Sequence, residues 1–117
     1  MVVLADDLIW ASRLRDAVTA AGGQAQPARR VEDLDRLLRG PGGAEPRFAI
    51  VDLTARAYDG VTAIRTATAA GARVVAVGQH DDVPLRKAAI AAGAERVYTY
   101  RALFGDGPGK IATWLTA

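Results

Sequence analysis

Short runs of apolar and β-branched residues alternate along this chain with stretches whose apolar positions recur every three or four residues. The runs are Val2-Val3-Leu4-Ala5, Phe48-Ala49-Ile50-Val51, Val74-Val75-Ala76-Val77 and Arg96-Val97-Tyr98-Thr99. The first three are apolar throughout, the pattern of strands whose two faces are both covered by helices. Gln24 to Pro27 has the position of a further strand but little of the composition. It suits a sheet edge, where polar residues and proline are tolerated.

Between the runs the period becomes helical. Ala11, Leu14, Val18 and Ala21 share one face of a first helix, stopped by Gly22-Gly23. Val31, Leu34 and Leu38 mark a second, ended by the loop Gly40-Pro41-Gly42-Gly43, and Val61, Ile64 and Ala67 a third, stopped near Gly71. Asp81-Asp82-Val83-Pro84 reads as a helix start, with carboxylates at the positive end of the dipole and proline in the first turn. This fourth helix runs to about Ala92 with Gly93 as its stop. Ile111, Trp114 and Leu115 give a short last helix after the loop Gly105-Asp106-Gly107-Pro108-Gly109.

The result is an α/β chain of five βα units, with a parallel sheet and helices on both faces. Five strands suit the flavodoxin-like, doubly wound order 2-1-3-4-5, in which ligands sit beyond the carboxyl ends of strands 1 and 3. The 117 residues fit one domain, residues 1–117, and no attached output domain is expected. Hydrophobic residues form 50% of the chain, which excludes a disordered tail. There is no cysteine, so disulfide scaffolds and thiolate chemistry fall away. No apolar run is long enough to cross a bilayer and no leader pattern opens the chain, so a soluble, cytoplasmic protein is expected. Fifteen basic against thirteen acidic residues leave a net charge of only +2, and the arginines are scattered. That distribution argues against nucleic acid as the direct partner.

The predicted order brings three carboxylates together. Asp6 and Asp7 follow strand 1 and Asp52 ends strand 3, so they converge on one crevice. Clustered carboxylates repel unless protons or a cation intervene, and hard oxygen ligands suit Mg²⁺. A carboxylate there could also attack a phosphoryl group. For Asp7 taken alone, capping the first helix is the simpler role.

Asp6-Asp7 after strand 1, Asp52 after strand 3, Asp59-Gly60 seven residues on, and Gly93-Ala94 before strand 5 resemble the receiver domain of two-component response regulators. The resemblance covers essentially the whole chain. It implies that Asp52 is a phosphoacceptor, that Asp6, Asp7 and Asp52 with the Thr54 main chain hold a low-affinity Mg²⁺, and that a histidine kinase or another signalling protein is the partner. A homodimer is also within its scope, and the chain is not expected to be an enzyme.

Three positions depart from the receiver pattern. Gly78 stands where receivers end strand 4 with Thr or Ser, Tyr100 stands where they carry the strand-5 lysine, and Val97 takes the place of the strand-5 aromatic. A phosphoryl group on Asp52 would lose a hydroxyl donor and a cation, each charge-assisted bond being worth about 1.5–3 kcal/mol. The pattern therefore describes an atypical or pseudo-receiver: a stand-alone module acting through protein–protein contacts, with its acidic pocket retained and its switch degenerate. A conventional receiver phosphorylated on Asp52 is the alternative, and a ligand-binding or enzymatic flavodoxin-like domain a third reading. Arg56, in the loop after Asp52, is a candidate to swing toward the crevice, while Arg101 points to the other side of the strand. Gly105 to Lys110 is one residue short of a phosphate loop and lacks its Ser or Thr. His80, the only histidine, could sense pH beside Asp81-Asp82. Val83 and Ile90, with Tyr98 and Tyr100, form a candidate apolar partner strip.

Overall fold

The alternation in the sequence becomes a single parallel sheet of five strands, β1 (Val2–Leu4), β2 (Gln26–Ala28), β3 (Arg47–Asp52), β4 (Ala72–Gly78) and β5 (Arg96–Thr99). The computed structural model describes residues 1–41, 47–79 and 81–116. His80 and the Gly42-Gly43 part of the expected loop lie outside these residues. The strand order is β2-β1-β3-β4-β5, the flavodoxin-like order expected from the sequence. The helices are α1 (Leu8–Ala20), α2 (Val31–Arg39), α3 (Gly60–Ala69), α4 (Val83–Ala92) and α5 (Tyr100–Leu115).

Strand alternation divides the core in two. Val3, Ala5, Ile50, Val75 and Val77 face α1 and α5, meeting Leu14, Val18, Leu103, Ile111 and Trp114. Val2, Leu4, Val51, Val74 and Ala76 face the other way, toward Leu34, Leu38, Ile64 and Ala89 of α2, α3 and α4. Burial on both faces is why the central strands carry no polar alternation. The register pairs Leu4 with Val51 and Asp52 with Val77. Asp52 is therefore level with the point where β1 gives way to Asp6-Asp7, which brings the two acidic loops side by side.

Two elements differ from the sequence reading. β2 begins two residues later than expected, at Gln26, and is an edge strand with Gln26 and Pro27 exposed. The larger difference is the last helix. Its start is Tyr100, because the Thr99 side chain accepts the Ala102 N–H at 3.0 Å and caps the first turn. The Gly105–Gly109 stretch is not a loop but lies within the helix, which breaks only at Asp106 (φ −148°, ψ 58°). The Asp106 carboxylate accepts the Gly109 N–H at 3.2 Å, and Pro108 sits in the restarted first turn, where its missing N–H does no harm. Gly107 is buried, and a Cβ there would stand 3.3 Å from the Ala17 Cβ of α1. Close packing of α5 on α1 thus overrides the low helix propensity of glycine.

Candidate functional site

The carboxyl end of β3 delivers Asp52 into the interior. It is 1% exposed and is the only buried charged or polar residue among the described residues. Its Oδ1 accepts the Thr54 N–H and the Thr54 hydroxyl, each at 3.0 Å, and the Tyr100 hydroxyl as well. Tyr100 and Thr54 also touch through their hydroxyls, so three oxygens form a triangle that shares two hydroxyl protons. Tyr100 can reach the triangle because it opens α5 directly after β5 ends. Its ring rests against Trp10 of α1 at 4.1 Å between centroids. Burial, and then the hydrogen bond to Asp52, push the Tyr100 phenol well above its usual range, so it stays a neutral donor.

Asp6 and Asp7 diverge in role. Asp6 Oδ2 accepts the N–H groups of Arg56 at 2.9 Å and Ala57 at 3.0 Å, tying the loop after β3 to the end of β1. Arg56 is exposed, and it contributes to the crevice through its backbone N–H on Asp6. Asp7 is the N-cap of α1, its Oδ1 accepting from Ile9 at 2.9 Å and Trp10 at 3.0 Å. Tyr58 spans the two loops from beneath. Its hydroxyl lies 2.6 Å from the Asp52 carbonyl and 3.0 Å from the Leu4 carbonyl and shares its proton between them. Burial first, then the nearby Asp52 and Asp6 charges, raise this phenol far above its ordinary range.

The side of the pocket under β4 is closed by Leu53, which is 6% exposed. A Cβ on Gly78 would lie 3.3 Å from Leu53 Cδ1, and one on Gly60 would lie 2.9 Å from Leu53 Cδ2 and 3.1 Å from its Cα. Leucine thus fills the space beside Gly78 that a larger residue would need. Val97 is half-buried in the core toward α2, α3 and α4 and does not reach the pocket. The expected partner strip also comes apart. Val83 and Ile90 are exposed on α4, but Tyr98 and Tyr100 pack on the opposite face of the sheet, against α1 and α5. Arg101, expected on a strand, is an exposed residue of α5.

Sequence reasoning brought Asp6, Asp7, Asp52, Thr54, Gly78 and Tyr100 to this end of the sheet, and the structure places them there. It missed Tyr58 and Leu53. Neither carried a sequence signal: Tyr58 is one aromatic in a loop, and the two glycines that meet Leu53 do so only in the folded chain.

Part of the donor set expected for Mg²⁺ is already engaged. Asp7 Oδ1 caps α1, Asp6 Oδ2 accepts two amides and Asp52 Oδ1 faces three donors, so one oxygen of each carboxylate is committed to the fold. Among the described residues no group of three or more Asp, Glu, His or Cys side chains could hold a metal ion. A hard cation here would draw on the other oxygen of each carboxylate and on the Thr54 main chain.

No protein-family model and no curated protein matches the sequence. Solved structures do match the fold. A response regulator from Thermotoga maritima superposes with a TM-score of 0.78 at 15% identity, covering 99% of this chain and 97% of that one. A CheY-like response regulator receiver domain protein from Methanospirillum hungatei JF-1 gives 0.78 at 14% identity, covering 98% and 91%. A response regulator from Burkholderia pseudomallei, solved with a phosphorylated aspartic acid, calcium ion and citrate, gives 0.71 at 15%, covering 97% and 71%. The chain has the fold of these receiver domains.

Proposed function

We propose that this chain is a receiver-type signalling domain that works by binding other proteins, and that its phospho-switch is degenerate. The observation that carries the reading is Asp52: a buried carboxylate at the end of β3, flanked by Asp6 and Asp7, on a fold shared with response regulators. In the Burkholderia pseudomallei protein an aspartic acid carries a phosphoryl group. Here Gly78 offers no hydroxyl and Tyr100 no cation, so a phosphoryl group on Asp52 would find two partners missing. A histidine kinase or another cytoplasmic signalling protein is the partner class, a second copy of the chain is within reach, and no catalytic turnover is assigned. Among the described residues no helix is long and apolar enough to cross a membrane.

The test restores what is missing. Leu53→Ala, Gly78→Thr and Tyr100→Lys are combined, because a threonine at 78 needs the room that Leu53 occupies. Wild type and the triple variant are incubated with phosphoramidate, with and without Mg²⁺, and followed by intact mass. Two regained partners at about 1.5–3 kcal/mol each predict at least about a hundredfold gain in phosphoryl adduct for the triple variant. Adding Asp52→Asn should abolish it. A wild type labelled as readily as the triple variant would establish a conventional phosphoacceptor instead. A triple variant that stays unlabelled would remove the receiver reading.

A further inference from the structure

Tyr100 does more than leave a cation out. We infer that it is an internal latch on Asp52: its phenol holds Oδ1, fixes the carboxylate in one orientation and so slows its reaction, and loss of the hydroxyl alone releases it. The inference rests on the receiver reading above and goes further, because an absent lysine only fails to help, whereas a bound phenol actively blocks.

The geometry supports a block on three counts. A carboxylate oxygen has about two lone-pair sites, and Asp52 Oδ1 already faces three donors, the Thr54 amide, the Thr54 hydroxyl and the Tyr100 hydroxyl. The phenol is held in place at both ends of its side chain. Thr99 caps the turn that carries it, and the Trp10 ring lies against its own. Asp52 is also 1% exposed, and the Tyr100 phenol is one of the groups that cover it. A contact of this kind makes the reactivity of Asp52 depend on the first turn of α5.

In the reaction that the latch opposes, an Asp52 carboxylate oxygen attacks the phosphorus of phosphoramidate. A P–O bond forms, the P–N bond breaks, and ammonia leaves with the protons its nitrogen already carries. Tyr100→Phe keeps the ring and its contact with Trp10 and removes only the donor. The full-length chain carrying it should gain phosphoryl adduct about tenfold faster than wild type, the rate equivalent of one hydrogen bond. Tyr100→Leu, which removes the ring as well, should be at least as fast. The gain should vanish when Asp52→Asn is added, and circular dichroism should show Tyr100→Phe folded. Equal rates for wild type, Tyr100→Phe and Tyr100→Leu overturn the latch. If the triple variant is labelled in that case, the receiver reading survives without it; if the triple variant is also unlabelled, both fall.

Discussion

Trp114→Ala lowers the free energy of unfolding by about 3–5 kcal/mol, the range for removing a buried large aromatic. Trp114 is 2% exposed and meets Phe48 of β3 edge-on, with 5.0 Å between ring centroids. It sits beyond the Asp106 break, so with Ile111 it is what fastens the second segment of α5 to the sheet. The helix cannot compensate locally, because a glycine-rich segment interrupted by Asp106 has little intrinsic stability. Small domains are stable by only about 5–15 kcal/mol, so the loss is a large share of the total. Urea unfolding measures it as a fall in midpoint at unchanged slope. A change below about 1 kcal/mol would mean that this segment is not docked as described.

Gly93→Ala is the second large effect, and it comes from a single methyl group. Gly93 ends α4 with φ +121°, a conformation open to glycine and strained for alanine. Its Cβ would also fall 2.6 Å from Thr68 Cγ2 on α3. That methyl is not free to rotate away, since the Thr68 hydroxyl donates to the Ile64 and Arg65 carbonyls at 3.1 and 3.0 Å. Backbone strain of about 1 kcal/mol and overpacking of about 1–3 kcal/mol together predict a loss of about 2–4 kcal/mol. Thr68→Ala in the same chain removes the overlap and should return the cost to about 1 kcal/mol, the backbone part. Thermal or urea unfolding of the two variants separates the contributions. An absence of recovery would show that the α3–α4 contact is not the cause.

The sheet was legible because its strands are buried on both faces. Continuous apolar runs at residues 2–5, 48–51 and 74–77 have no other economical home. The position of Asp52 followed from topology, since the end of β3 lies next to the end of β1. The last helix was not legible: five residues of glycine, aspartate and proline read locally as a loop, and only packing against α1 at Gly107 makes them helical. Tyr100 was found at the right place, but its contact with Asp52 was not foreseen. Sequence comparison shows which partner is missing from a position, not what the replacement touches. A phenol reaching across from α5 to β3 joins residues 48 apart, and no local pattern records such a contact.

The central claim is that the Tyr100 hydroxyl is bonded to Asp52, and a double-mutant cycle tests it most directly. Tyr100→Phe, Asp52→Ala and the double variant are compared with wild type by urea unfolding. Removing the hydroxyl should destabilise the wild-type chain by about 1–3 kcal/mol, as for a hydrogen bond to a charged group, and by clearly less once Asp52 is alanine and only the Thr54 contact is left to lose. The cycle then gives a coupling of about 1–3 kcal/mol. Additivity within about 0.3 kcal/mol would contradict the bond, and with it the latched pocket.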